Sequence, residues 1–164
     1  VEIQHVFGWI ENATLEPWGV KVKSKLDTGA LTSSLHARNI ERFEKDGEEW
    51  VRFEVNVEDQ DEDEKVSRKF ERPLYRDVII RGAGGEERRP VVLMEICFGD
   101  TVHEEQFSLE NRSDMIYPVL IGRRTIQHLG VVDVTNTFMH EPQCDEDSPV
   151  EKFDKDNTDE DVGV

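Results

Sequence analysis

Apolar and polar residues alternate along many short stretches of this chain, and a period of two is typical of β-strands that bury one face. The alternation is clearest over Val20–Leu26 and over Trp50–Val55. Further strands are predicted over Val6–Ile10, Asp77–Arg81, Arg88–Phe98, Tyr117–Arg123 and Val131–Val134. Turn signals rich in glycine separate these stretches, so the pattern predicts an all-β barrel or sandwich.

A few segments depart from this alternation. The stretch Arg124–Leu129 predicts one short helix, because Gly130 directly after it suits a helix C-terminus. A turn region is predicted over Glu11–Gly19, and the acidic run Glu58–Glu64 predicts a solvated loop.

The composition changes from Gln143 onward, where nine acidic and two basic residues accompany few apolar ones. Such a segment cannot bury enough apolar surface to fold by itself, so we expect a disordered or loosely packed extension that the core does not need. The predicted organisation is therefore one domain over residues 1–142 and an acidic C-terminal tail over residues 143–164.

The net charge restricts the classes of molecule that the protein can bind, and the placement of the two cysteines bears on whether they form a disulfide. The 164 residues carry a net charge of −17, and no basic stripe is present to neutralise phosphates, which excludes nucleic acid as a partner. No apolar run approaches the length of about 18 residues that a membrane span needs. Cys97 lies in an apolar strand and Cys144 in the polar tail, so two unpaired thiols are predicted rather than a disulfide.

The segment Leu26–Ala30 carries the candidate chemistry. It places the Asp27 carboxylate at the end of a predicted strand, followed by the Thr28 hydroxyl. Gly29 allows close approach of the backbone and Ala30 adds almost no bulk, which suits a rigidly held, shielded carboxylate. Asp-Thr-Gly by itself is also common in turns. A second segment, an apolar strand that ends in Gly122-Arg123 before the short helix, strengthens the catalytic interpretation.

Together these two motifs resemble those of the retropepsin-type aspartic peptidases. The longer string Lys25–Ala37 is similar to a bacterial retropepsin-like branch that carries the label ATP-dependent zinc protease. The resemblance covers roughly residues 6–138 and implies a closed β-barrel of the acid protease fold with one short helix. It also implies hydrolysis of a peptide or protein substrate, with Asp27 contributed by each of two subunits. Thr28 would then hydrogen-bond across the dimer, and Gly29 would present its backbone to the substrate.

Two carboxylates a few ångströms apart cannot both ionise, so one keeps a proton while the other can activate water. The sequence contains a single Asp-Thr-Gly, and the second carboxylate must come from another copy across a two-fold axis, which predicts a homodimer. The alternative is a non-catalytic β-barrel module that binds peptides, or a degenerate peptidase, in which Asp27 only accepts hydrogen bonds.

The remaining candidate residues support this site. In the family a glycine-containing hairpin closes over the substrate as a flap, and here the loop Gly82–Glu87 with Gly84 and Gly85 occupies that place; an ordinary hairpin turn is the alternative. The charged end of this loop departs from the apolar flap tips of the family. The resemblance gives Gly122 a supporting role, and we expect Arg123 to be structural.

The branch label mentions zinc and ATP, but the sequence contains no motif typical of a zinc site or an ATP site. The sequence has no His-Glu-x-x-His and no phosphate-binding Gly-x-x-x-x-Gly-Lys-Ser/Thr, and its five histidines lack ligand spacing. We therefore predict no metal and no cofactor. Members of the family are often encoded near glutamate ligases, which raises glutamate-tailed peptides as a substrate. The compartment, bacterial cytoplasm or periplasm, is left open.

Overall fold

The computed structural model describes residues 5–111 and 116–162; residues 1–4, 112–115 and 163–164, which fall within the two predicted units, lie outside the described part. The strands are β1 (Val6–Gly8), β2 (Ile10–Glu16), β3 (Val20–Leu26), β4 (Ser33–His36), β5 (Arg38–Lys45), β6 (Glu48–Asp59), β7 (Glu64–Pro73), β8 (Arg76–Gly82), β9 (Gly85–Phe98), β10 (Thr101–Glu110), β11 (Val119–Ile121), β12 (Val131–Asp133) and β13 (Val150–Glu151). A single α-helix, α1, spans Arg123–Leu129, and a 3₁₀ helix spans Lys155–Asn157. No helix in these ranges has the length and apolar character needed to cross a bilayer.

Six strands close into a barrel because β9 and β10 pair with each other as well as with other neighbours. The order around the barrel is β10, β4, β11, β3, β2 and β9, and β9 then returns to β10. The edge strand β8 extends the sheet from β9, and β13 extends it from β10. Closure removes the open edges of these six strands, which protects their backbone groups from pairing with other chains. The all-β closed barrel and the single short α-helix are confirmed.

Alternating side chains fill the barrel. Leu15, Val22, Leu35 and Phe107 are fully buried, and they form one apolar cluster with residues of the separate sheet β5–β6–β7. That sheet contributes Phe53, which stacks on a ring of the neighbouring strand β7. Each large apolar side chain buried in this way contributes about 1.5–3 kcal/mol to folding. The apolar positions of the alternating pattern therefore form the hydrophobic core of the protein.

The turn predicted over Glu11–Gly19 is wrong over most of its length, because β2 continues to Glu16. Glu11 is fully buried although it carries a carboxylate. Its side chain accepts hydrogen bonds from the backbone N–H groups of Gly8, Met139 and His140 at 2.7–3.1 Å. A buried carboxylate needs such donors. Glu11 thus joins the beginning of the barrel to the segment that precedes the tail.

The loop predicted over the acidic run Glu58–Glu64 is also shorter in the structure. Strand β6 extends to Asp59 and β7 begins at Glu64, which leaves only four residues in the turn. Glu58 lies opposite Lys65 in the register of this hairpin. Opposite charges facing each other across two strands stabilise the pairing, so the acidic residues did not prevent strand formation.

The expectation of a loosely packed tail differs from the structure. Cys144 forms a disulfide with Cys97, so the prediction of two unpaired thiols is wrong. Val150 pairs with Val102 in a short parallel ladder, and the ring of Phe153 meets that of Tyr75 edge-on at 5.4 Å. The tail is held mainly by its backbone and by one covalent bond, neither of which leaves a hydrophobic pattern in the sequence.

The tail also contacts α1 at His128, which is half-buried and pairs with the buried Glu105. His128 Nδ1 lies 2.5 Å from the Glu105 carboxylate on β10, and His128 Nε2 contacts the Asn157 carbonyl of the tail at 3.2 Å. The hydrogen bond to Glu105 raises the pKa of His128 above its ordinary value, and burial raises the pKa of Glu105. The pair therefore keeps a shared proton at a pH at which an exposed histidine has lost it.

Because both pKa values are raised on folding, the stabilisation from this pair is complete at low pH and is lost as pH rises through the folded values. We expect the free energy of unfolding to fall more steeply in the wild type than in His128→Gln in the window above about pH 6.5, the ordinary pKa of histidine. Buried His103 has its pKa lowered by burial and so titrates below this window. Urea unfolding across the pH range measures the slope.

His5→Gln is the matched control for this pH experiment, since it removes an exposed histidine and leaves the His128–Glu105 pair intact. We expect His5→Gln to keep the wild-type slope. An equal slope in the wild type and His128→Gln would contradict the role assigned to the pair.

Strand β11 is inserted between two strands that flank the candidate loop. It runs parallel to β3, with Ile121 beside Leu26, and antiparallel to β4, with Val119 beside Leu35. Gly122, directly after β11, lies so close to the loop that an added Cβ would be 2.7 Å from the Leu31 carbonyl oxygen. The φ of Gly122 is −92°, which any residue can adopt, so glycine is needed there for space alone.

Gly122→Ala should destabilise the fold by about 1–3 kcal/mol, because the added methyl group overlaps backbone that has no room to move. Gly84→Ala is the control, since a Cβ at Gly84 meets nothing within 4 Å. We expect the control to change the free energy of unfolding by less than about 0.5 kcal/mol. Urea unfolding of both variants measures these changes, and equal changes in the free energy of unfolding would refute the packing explanation.

Candidate functional site

Asp27 lies directly after β3, in a loop whose backbone is fixed at both ends. The Asp27 N–H donates to the Ile121 carbonyl of β11 at 2.8 Å, and the Ala30 N–H donates to the Asp27 carbonyl at 3.1 Å. The Gly29 N–H donates to Asp27 Oδ1 at 2.9 Å, which orients the carboxylate. The predicted residues Asp27, Gly29 and Ala30 therefore form one tight turn.

Exposure differs along this loop. The Asp27 side chain is half-buried, whereas Thr28 and Gly29 are exposed. A Cβ at Gly29 would lie 3.1 Å from Asp27 Oδ1, so a side chain there would press on the carboxylate. The loop thus presents a positioned carboxylate with an open approach from outside the subunit.

The buried hydroxyl groups of Ser33 and Thr125 form hydrogen bonds next to the Asp27 loop. Ser33 Oγ accepts a hydrogen bond from the Gly122 N–H at 3.0 Å and shares another with Thr125 Oγ1 at 2.7 Å. Ser33 and Thr125 are almost completely buried, so these hydrogen bonds are shielded from water. Sequence analysis missed both residues. Serine at the start of a strand and threonine in a short helix give no local signal of such a contact.

Arg123 binds the loop through carbonyl groups. Its Nη1–H donates to the Thr28 carbonyl at 2.9 Å, and its Nε–H donates to the Val162 carbonyl of the tail at 2.8 Å. The backbone N–H of Arg123 also donates to the Ala30 carbonyl. Arg123 thus links the candidate loop to the tail through carbonyl oxygens.

The predicted flap forms the hairpin between β8 and β9, with Gly82 opposite Gly85 and Gly84 in the exposed turn. The structure brings the sides of this hairpin toward the loop rather than its tip. Val78 and Ile80 of β8 line a cleft of about 480 Å³ together with the segment that follows Asp27, Ala30 to Thr32. A Cβ at Gly84 would meet nothing within 4 Å, so the tip projects into solvent.

Two arginines that sequence analysis missed reach into the same cleft. Arg76 begins β8, and its Nη2–H donates to Thr32 Oγ1 at 3.4 Å, while its Nε–H donates to Gln106 Oε1 at 2.7 Å. Arg124 in α1 donates from Nη1 to the same Thr32 hydroxyl at 2.8 Å. Arg124 directly follows the Gly122-Arg123 motif, and that position was the one available signal.

Other polar groups lie elsewhere. His36 on β4 lines a separate cavity of about 800 Å³ beside Lys23 and Val57, away from the Asp27 loop. Within residues 5–111 and 116–162, no three His, Cys, Asp or Glu side chains come together in a way that could hold a metal ion. The chemistry available at the loop is therefore that of a carboxylate, its backbone donors and nearby arginines.

Comparisons with known proteins identify relatives in sequence and in fold. Two relatives, both named probable alpha-L-glutamate ligase, come from Shewanella pealeana and Desulfotalea psychrophila; they are 34% and 35% identical to this chain over 71% and 68% of its length. The chain spans only about a quarter of each of these proteins. The crystal structure of Lpg0085 from Legionella pneumophila, described as a protein of unknown function (DUF785), matches with a TM-score of 0.70 and 36% identity. That match covers 83% of this chain and 98% of Lpg0085.

A family model described as retropepsin-like aspartic endopeptidase RimB matches residues 6–143, which include the whole barrel, the Asp27 loop and α1. The matched segment ends where the acidic tail begins. The suspected resemblance is thereby confirmed, and this chain belongs to the RimB-like family of retropepsin-like proteins.

Proposed function

We propose that this protein is an aspartic endopeptidase whose two catalytic carboxylates are Asp27 of one subunit and Asp27 of a second copy. The observation that carries the proposal is the fixed carboxylate of Asp27, oriented by the Gly29 N–H in a loop open to approach from outside. A rigid carboxylate can keep the short separation that a shared proton requires. The position of this loop beside a cleft of about 480 Å³ gives a peptide access to it.

The proposed reaction is a direct attack of water on the peptide carbonyl. The ionised member of the carboxylate pair removes a proton from water, and the protonated member hydrogen-bonds the carbonyl oxygen as negative charge develops there. The proton then passes to the leaving amine, and the pair returns to its singly protonated state. The pair titrates as a unit, so neither apparent pKa belongs to one subunit.

The second copy is needed because the sequence holds one Asp-Thr-Gly. Exposure of Thr28 and Gly29 supports a homodimer, since a partner can reach this loop without unfolding it. Thr28 would donate across the two-fold axis, while Gly122 and Arg123 would hold the loop. The hairpin with Gly84 and Gly85 would close over bound peptide and exclude water.

For the substrate we propose glutamate-rich peptides. Relatives named probable alpha-L-glutamate ligase carry a matching segment within a longer chain. A domain combined with an enzyme that adds glutamate is well situated to cut what that enzyme makes. Arg76 and Arg124 at the cleft give this chain positive charge near the loop.

Replacing Asp27 with Asn should lower kcat for a glutamate-rich peptide by at least about a hundredfold, because a pair without an ionisable carboxyl group cannot share a proton. Dimerisation should survive, since Asn keeps the size of the side chain. Cleavage should be fastest at acidic to mildly acidic pH, where the pair holds one proton. Chelators should leave the rate unchanged.

Asp46→Asn is the matched control. Asp46 lies in the exposed turn between β5 and β6 with φ of +52°, a conformation that Asn also tolerates. Cleavage assays and sedimentation measurements should be run on all three proteins. Equal cleavage by wild type and Asp27→Asn, or cleavage by a strict monomer, would refute the proposal. Peptide binding without cleavage by the wild type would instead identify a non-catalytic binding module.

A further inference from the structure

Two guanidinium groups converge on one hydroxyl at the side of the cleft. Arg76 and Arg124 come from β8 and α1, yet both donate to Thr32 Oγ1. Both side chains are partly buried. The Nε–H of Arg76 also donates to Gln106 Oε1, and the Nε–H of Arg124 donates to the Glu160 carbonyl. None of these partners carries a full negative charge at the contacting atom.

The two positive charges are therefore uncompensated at short range. Among the residues that the structure describes, no carboxylate lies within 4.0 Å of either guanidinium. In contrast, Arg42 and Arg88 both bind the Asp77 carboxylate. Burial and the neighbouring Arg124 lower the pKa of Arg76, so the arrangement costs free energy in the empty cleft. An anion that enters between these groups recovers that cost.

The position of the pair fits a substrate side chain. Thr32 is five residues after Asp27, and the intervening backbone is fixed because the N–H groups of Arg123 and Arg124 donate to the carbonyls of Ala30 and Leu31. The cleft is apolar on the side of Val78 and Ile80 and cationic at Arg76 and Arg124. Arg89 and Glu110 also line it, and their opposite charges form an ion pair with each other. An aliphatic stem that ends in a carboxylate matches both halves.

We propose that Arg76 and Arg124 form a subsite that binds a carboxylate side chain of the peptide substrate, next to the bond that is cut. The inference rests on the proposed peptidase function and adds the residues that determine its specificity. The planar fork of each guanidinium suits a carboxylate, and two such groups distinguish Glu from neutral Gln. The Glu160 carboxylate of the tail acts on Arg76 at longer range and offsets part of its charge, so an incoming carboxylate competes with it.

The test uses two peptides of one sequence that differ only in Glu or Gln on both sides of the cleavage point. We expect the wild type to prefer the Glu peptide by about tenfold or more in kcat/KM, with the difference mainly in KM. The double variant Arg76→Gln/Arg124→Gln should lose this preference, so that its kcat/KM values for the two peptides become equal. Arg76→Lys/Arg124→Lys should recover part of the preference, because charge is kept and the fork is lost.

Arg52→Gln is the matched control, since it removes one exposed charge from the separate sheet β5–β6–β7. It should keep the preference for Glu. If the double variant has a lower unfolding midpoint, the single variant Arg124→Gln carries the same comparison. Preference for Glu that survives in a folded variant without these guanidiniums overturns the subsite.

Binding separates this inference from the proposed function. Fluorescence anisotropy of labelled Glu peptide on Asp27→Asn, with and without Arg76→Gln/Arg124→Gln, measures the subsite without turnover. Binding that depends on the arginines, in a wild type that cuts neither peptide, would refute the peptidase and support the subsite. Cleavage of both peptides with equal kcat/KM would support the peptidase and overturn the subsite.

Discussion

The contact between Gly122 and Leu31 is the constraint on which the Asp27 loop depends. Strand β11 can lie between β3 and β4 only if the chain after it passes within van der Waals distance of the loop backbone, and a Cβ at Gly122 would remove that space. The approach brings the Ile121 carbonyl to the Asp27 N–H and the Gly122 N–H to Ser33 Oγ. The carboxylate is thus positioned by backbone from a distant part of the sequence.

Arg76 and Arg124 in the cleft are positively charged, whereas the protein as a whole is strongly negative. The net charge of −17 repels an acidic peptide at distances up to about a Debye length, roughly 8–10 Å in physiological salt. The cleft is lined by Arg76 and Arg124, whose positive charges would attract such a peptide, and by the ion pair of Arg89 and Glu110. Screening by salt weakens the distant repulsion more than the partly buried contact. Attraction at the site can therefore coexist with a strongly acidic surface.

The sequence predicted what a local period or a short motif encodes. Alternation identified the strands because each buries one face, and Asp27 was singled out as the candidate carboxylate because the residues of its loop are contiguous. Ser33 and Thr125 were missed because they meet across 92 residues, and strand pattern carries no trace of such a pair. The tail was misjudged for a related reason, since it is held through carbonyl groups and through Cys144. Glu11 was taken for a turn residue because two of its three backbone donors, those of Met139 and His140, lie 128 and 129 residues away.

The separation of β11 from the loop in sequence has a consequence for synthesis of the chain. Gly122 follows its partner Ser33 by 89 residues, so closing this contact costs more chain entropy than forming the neighbouring hairpins. During translation Asp27 emerges from the ribosome long before Gly122 does. Until residues beyond Thr125 have emerged, the loop lacks the groups that shape it. An incomplete chain therefore carries the aspartate without its geometry, and the barrel and its carboxylate site mature together.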